Sequence, residues 1–189
     1  MNQSLIQSKS RSQMICLRGS AALSQFRIEK IQEKLAQTHT NIKHLYAEFR
    51  HFIWLDDALE NGLDNQKQDT IKQILTYGPT LQVEDPQGEF FLTLPRVGTI
   101  SPWASRATDI VQHCGLPEIK RVERGIAYYV QTKNGQPLTE TERQHLLPLI
   151  HDRMTETVFA NLDDAEKLYH TDTPAPLSTV DLLKTGKQN

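Results

Sequence analysis

At 189 residues the chain is long enough for one ordinary domain or two small fused ones, and it can bury a core without disulfides or metals. Lysine and arginine number 21 against 23 aspartates and glutamates, a formal charge of -2 that exerts no general pull on nucleic acid or acidic membranes. The two cysteines, Cys16 and Cys114, sit in no CxxC and beside no histidine at metal-ligand spacing, which disfavours a zinc site or disulfide framework and fits a reducing cytoplasm.

Residues 1–13, MNQSLIQSKSRSQ, are polar and lack the apolar run of a signal peptide, so they read as a disordered lead-in; no later stretch approaches the length of a membrane span. Met14 to Gly19 reads as a strand, after which Ala22, Leu23, Phe26, Ile28, Ile31 and Leu35 recur at helical spacing. Residues 42–55, IKHLYAEFRHFIWL, are aromatic and strand-like. Gln66 to Tyr77 places Ile71, Ile74 and Leu75 on one helical stripe before Gly78 and Pro79 stop it, and Leu81 to Val83 closes this half as a short strand. The pattern then recurs: FFLTL as a strand, Trp103 to His113 as a helix ending at Gly115, and Ile119 to Val130 as a long strand interrupted at Gly125. Thr139 and Glu142 have the spacing of a capping box, opening a helix that carries Leu146, Leu147 and Ile150, and HDRMTETVF reads as the last strand.

Two halves, about 14–84 and 89–158, therefore share one order: strand, helix, long strand, helix, strand. A break in the long strand would fold it into a hairpin. The expectation is an α+β domain over 14–158, built of two fused ferredoxin-like units with packed antiparallel sheets and flanking helices, each sheet burying the other's apolar face. From 159 to 189 the composition changes. NLDDAEKLYH suits a short acidic helix, and the Pro-, Thr- and Ser-rich remainder, with Val180, Leu182 and Leu183 in need of packing partners, reads as the start of a linker domain.

Three constellations are candidates for chemistry. PRVGTISPWASRATDI, residues 95–110, gathers Thr99, Ser101, Trp103, Ser105 and Arg106 at a helix start, where backbone N–H groups and arginines suit an anion; equally, Ser101 is a cap, Pro102 a first helical residue and Trp103 a packing residue. KRVERGIAYYV offers Arg121 and Arg124, a pair suited to a phosphorylated ligand or, more ordinarily, to ion pairs and domain contacts. His151, Asp152 and Arg153 invite a triad reading, but strand neighbours point to opposite faces and no nucleophile motif accompanies them, so an interface or strand-end role is the simpler one. The other histidines, His51 among them, are scattered surface or core residues, and the Asp56-Asp57 and Asp163-Asp164 pairs are turn or helix-start acids.

The segments LRGSAALSQFRIEK, LYAEFRHF, YGP, PRVGTISPWASRATDI, RVERGIAYYV, HDRMTETVF and TVDLL resemble, in order, the opening of large single-chain phosphoribosylformylglycinamidine synthases. The resemblance runs from Ile15 almost to the end, with Ala104 and Arg106 standing where relatives carry Ser and Lys. It implies a domain similar to a fused dimer of the small PurS subunit of multi-subunit versions of the enzyme, followed by the start of a linker domain. It further implies a cytoplasmic enzyme that converts formylglycinamide ribonucleotide, glutamine and ATP to formylglycinamidine ribonucleotide, glutamate, ADP and phosphate, with magnesium, and with ammonia passed between two sites. The glutaminase nucleophile and the ATP site belong to other domains of such an enzyme.

On that reading this stretch holds no catalytic residue, cofactor or metal and is inactive alone. Its partners are the synthetase and glutaminase domains rather than nucleic acid or membrane, and an uncovered docking surface would favour self-association. Thr99, Ser101, Trp103, Ser105, Arg106, Arg121, Arg124, His151 and Arg153 are the expected domain-interface residues. The competing expectation is a stand-alone small-molecule-binding regulatory module of ferredoxin-like fold. A stand-alone enzyme would need a nucleophile and base, or a metal cluster, that the sequence does not offer.

Overall fold

The computed structural model describes residues 14–38, 41–56, 58–59, 62–78 and 85–169. Four helices begin where short polar side chains satisfy the free N–H groups of a first turn. Ser24, Asp64, Ser101 and Thr139 accept from the backbone nitrogens of Arg27, Lys67, Ala104 and Glu142 respectively, starting α1 (Gln25–Gln37), α2 (Asn65–Leu75), α3 (Pro102–His113) and α4 (Glu140–Ile150). The Glu142 carboxylate reaches back to the Thr139 nitrogen at 2.8 Å and completes the capping box expected there.

Five strands alternate with these helices: β1 (Met14–Ala21), β2 (Ile42–Leu55), β3 (Glu89–Pro95), β4 (Ile119–Thr132) and β5 (Glu156–Phe159), followed by a 3-10 helix, Asp163–Tyr169. All pairings are antiparallel and give one five-stranded sheet in the order β1-β2-β4-β3-β5. The fold is thus α+β, an antiparallel sheet with flanking helices. The halves meet edge to edge through β2 and β4, in register from Leu45↔Val130 to Ile53↔Val122, so they share one sheet instead of laying two together. Each of these 14-residue strands carries buried residues on both faces and fills both of its hydrogen-bonding edges only at the sheet centre.

Strand alternation then sorts the core. Leu45, Ala47, Tyr128 and Val130 meet Leu35 of α1 with Leu146 and Ile150 of α4. Ile53, Leu55 and Val122 meet Ile71 and Leu75 of α2 with Val111 of α3. All four helices therefore lie on one face, and each cluster takes one helix from each half. On the opposite face Phe52, Leu92, Leu94 and Ala127 are covered by Ala165 and Leu168 of the 3-10 helix.

Two expectations read differently in three dimensions. β4 runs unbroken through Gly125, which faces Arg50 across the ladder. A Cβ there would lie 2.3 Å from Leu94 Cδ2 and 2.8 Å from the Thr93 carbonyl oxygen, so this glycine allows a close approach of β3 rather than making a hairpin. In HDRMTETVF only Glu156–Phe159 is strand. Residues 151–155 form a turn in which the Asp152 carboxylate accepts from the Met154 nitrogen and Glu156 from the Asp152 nitrogen, both at 2.8 Å. The lead-in at 1–13, the short strand at 81–83 and the tail at 170–189 lie outside the described residues.

Substituting Gly125→Ala forces the added methyl against Leu94 and the β3 backbone. Urea unfolding should show a loss of about 1–3 kcal/mol, the range for overpacking a well-filled core; an unchanged midpoint would show that β3 can retreat freely.

Candidate functional site: the β3–α3 connection and its anchors

Seven of the nine residues singled out by sequence surround the connection from β3 to α3. Pro95 ends β3, and a short loop turns through Gly98 at φ +81 before Ser101 caps α3 with Pro102 in its first turn. The Ser101 hydroxyl is fully used: it accepts from the Ala104 nitrogen at 3.0 Å and donates to Glu123 Oε1 at 2.6 Å. Glu123 is wholly buried in β4, and its other oxygen accepts from Arg121 Nη2 at 2.7 Å. Arg121 extends the network by donating to the Thr99 carbonyl at 2.8 Å and the Leu168 carbonyl at 3.0 Å, with its guanidinium over the Tyr169 ring. One buried carboxylate and one arginine thus tie the loop, β4 and the 3-10 helix together.

A second knot forms on the helix-covered face, where strand alternation brings Phe49 and His51 of β2 beside Arg124 of β4. The Arg124 guanidinium lies between the Phe49 and Trp103 rings, 4.4 and 4.7 Å from their centroids, and its Nη1 donates to Tyr77 Oη at 3.1 Å. Tyr77 Oη is 2.7 Å from His51 Nε2. The one phenol oxygen is thus shared between Arg124 and His51, whose other ring nitrogen, Nδ1, is buried with no partner among the described residues. Burial, and then the Arg124 charge, push the His51 pKa down to about 4, so the ring is neutral at ordinary pH. Gly19 makes room for it: a Cβ there would come within 2.8 Å of His51 Cε1.

The remaining predicted residues are less engaged. Ser105 Oγ is 3.5 Å from the Ser101 carbonyl. Exposed Arg106 lines a cavity of about 300 Å3 between α2 and α3 with Ile74, Tyr77, Trp103 and Ile110. His151 and Arg153 lie elsewhere, at the α4–β5 turn, where His151 Nδ1 is 2.6 Å from the Leu147 carbonyl of the last helical turn. Sequence reading passed over His51, Tyr77, Glu123 and Gly19. Only the shared parity of His51 with Phe49 hinted at their role, since Tyr77 and Trp103 lie 26 and 52 residues from His51, and Ser101 lies 22 from Glu123. On the opposite face Glu48, also wholly buried, holds Arg18 at 2.7 Å and Arg50 at 2.5 Å.

Residues 48–169 match the family described as formylglycinamide ribonucleotide amidotransferase N-terminal. The chain belongs to this family. The match takes in most of β2, the loop and helix around Trp103, Arg121 and Arg124 of β4, the α4–β5 turn and the 3-10 helix, so it covers the polar contacts just described apart from those of Arg18 and Gly19 in β1. Family membership makes the chain part of a formylglycinamide ribonucleotide amidotransferase of purine biosynthesis. Among the described residues no helix is long and apolar enough to cross a membrane, and no three His, Cys, Asp or Glu side chains converge as metal ligands.

His51 gives the family domain a pH signature. Unfolded, the imidazole titrates near 6.5; folded, near 4. As pH falls below 6.5 the unfolded chain takes up a proton that the folded chain refuses, so His51's contribution is intact above 6.5 and is lost towards 4. Chemical unfolding between pH 6.5 and 5.5, above the range where shifted carboxylates such as Glu118 add their own terms, should show a slope of up to about 1.4 kcal/mol per pH unit. His51→Phe should flatten that slope; a slope that survives it would place the titration elsewhere.

Proposed function

We propose that this chain is the docking and scaffold portion of a phosphoribosylformylglycinamidine synthase, the ATP- and glutamine-dependent ligase that makes formylglycinamidine ribonucleotide. It orders the synthetase and glutaminase domains, which are its partners, and touches no reacting atom. Family membership supports the enzyme. The scaffold role is supported by how the β3–α3 connection divides its side chains: Ser101, Arg121 and Arg124 are consumed by internal contacts, while Val97, Ile100 and Ile110 stand 40%, 64% and 54% exposed. Apolar side chains held outward on an internally braced loop and helix suit a protein surface better than a soluble substrate.

Several features accord with chemistry lying in other domains. Gly98 does not open the spacing of a phosphate-binding loop, so ATP and magnesium have no evident donor set among the described residues. Cys16 is half-buried and burial raises its pKa, the opposite of an activated glutaminase nucleophile; Cys114 is exposed at the end of α3 with no acid–base partner described. Two free thiols suit a cytoplasmic setting, and the same exposed apolar residues would let isolated copies of the chain self-associate.

The test is reconstitution. This chain is mixed with a separately expressed synthetase–glutaminase remainder, and glutamine-dependent formation of formylglycinamidine ribonucleotide is assayed for each part and for the mixture. Activity is expected only in the mixture. Ile100→Asp with Ile110→Asp should weaken reconstitution by at least about tenfold, the effect of losing a modest apolar anchor, while leaving the urea midpoint of this chain unchanged. A folded remainder that neither binds the chain nor gains activity from it would sink the scaffold role.

A further inference from the structure

A groove of about 750 Å3 lies between α1 and the α4–β5 turn, whose Glu156 pairs with Pro95 at the start of the β3–α3 connection. Ile126 and Tyr128 of β4 form its floor, and Leu23 and Ile31 on one side and Leu149 on the other give it apolar walls. Tyr128 is only 4% exposed, yet its hydroxyl makes no hydrogen bond among the described residues. The oxygen itself is not sealed from solvent but opens into the groove, where an occupant could take its proton. Burial pushes its pKa up to about 12, so it stays a proton donor at any working pH; Glu156 and Arg27 are the charges it feels.

The rim supplies charge. Arg27 stands in the first turn of α1, where the helix dipole disfavours a cation and where no acidic residue compensates it. Neither Arg27 nor Arg153 makes an ion pair among the described residues, whereas the neighbouring Lys30 is already held by Glu33 at 2.8 Å. The acids on the same rim are partly committed: Glu156 and Asp152 each give an oxygen to a backbone N–H of the turn. The rim is therefore neutral overall, and what it offers an anion is two guanidiniums with no carboxylate in contact, enough to fork onto one small acidic group but not to hold a polyphosphate.

We propose that this groove binds a small apolar molecule bearing one acidic group, a carboxylate or a phosphate monoester, with its body on the Ile126–Tyr128 floor, its charge between Arg27 and Arg153 and a hydrogen bond from Tyr128. The dimensions suit a small ligand and the mix of an apolar floor with a few convergent polar groups is what such sites require. The site is independent of the docking surface and stands or falls without it.

The full chain is titrated by calorimetry and by amide NMR with benzoate and phenyl phosphate, using benzyl alcohol, acetate and inorganic phosphate as partial probes. Saturable binding of at least one aromatic acid is expected, with the partial probes weaker by about tenfold or more, since each lacks either the charge or the apolar body. Arg27→Gln with Arg153→Gln, both exposed positions, should weaken it by about tenfold or more, and Tyr128→Phe should weaken it several-fold without changing the circular dichroism spectrum. Which acid saturates tells carboxylate from phosphate. The proposal is overturned if neither acid saturates by about 10 mM, or if the double arginine variant binds as the parent does.

Discussion

The antiparallel ladder between β2 and β4 joins two half-domains, neither of which covers its own apolar residues. In each half a strand, a helix and a long strand follow one another, but the helix-side cores are mixed: α1 packs with α4, and α2 with α3, over residues contributed by both long strands. Removing the ladder would therefore expose both clusters at once. That makes β2–β4 pairing the step on which burial, and with it most of the driving force for folding, depends.

Such a joint brings polar residues of both halves into low dielectric, and two different solutions are visible. Glu48 and Glu123, each two residues before the paired Arg50 and Gly125, remain buried beside arginines: Arg18 and Arg50 for the first, Arg121 for the second. A buried carboxylate without its cation would cost several kcal/mol, so these pairs hold geometry more than they add stability. At His51 the solution is neutrality. A second cation beside half-buried Arg124 would be repelled and poorly solvated, and the neutral ring instead meets the Tyr77 hydroxyl while the arginine rests between aromatic faces. The result fixes the N-terminal end of α3 to the strand joint and holds the loop before it in place.

How much of this was legible in sequence follows from how local each feature is. Ser101 and Thr139 announce their helices because a cap is a contact between neighbours, and the alternation of β2 and β4 announces strands. Gly125 was ambiguous because a glycine within a strand marks a break or a close approach equally well, and only the position of Leu94 decides between them. The edge-to-edge joint, Glu123 as the partner of Ser101, and the His51–Tyr77–Arg124 chain are contacts between distant segments that no periodicity encodes. The 95–110 motif was visible as unusual. Which of its side chains turn inward was not, and Ser101 and Arg121 prove to be braces of the fold.

The proposed docking face and the groove adjoin at the end of β3, where Pro95 pairs with Glu156 of the groove rim and the Arg96 nitrogen donates to the Thr155 carbonyl at 2.9 Å, and both also draw on β4. Arg124 and Tyr128 lie on the same face of β4, four residues and so roughly 13 Å apart at strand rise. For one site to sense the other, β4 would need two discrete arrangements, yet it is held on both edges by β2 and β3, and Gly125 allows β3 no slack. A sheet so constrained transmits little. Any coupling between them would instead run through the Pro95–Glu156 pairing and the Arg96–Thr155 hydrogen bond, so occupying the groove reaches the β3–α3 surface only if the α4–β5 turn itself shifts.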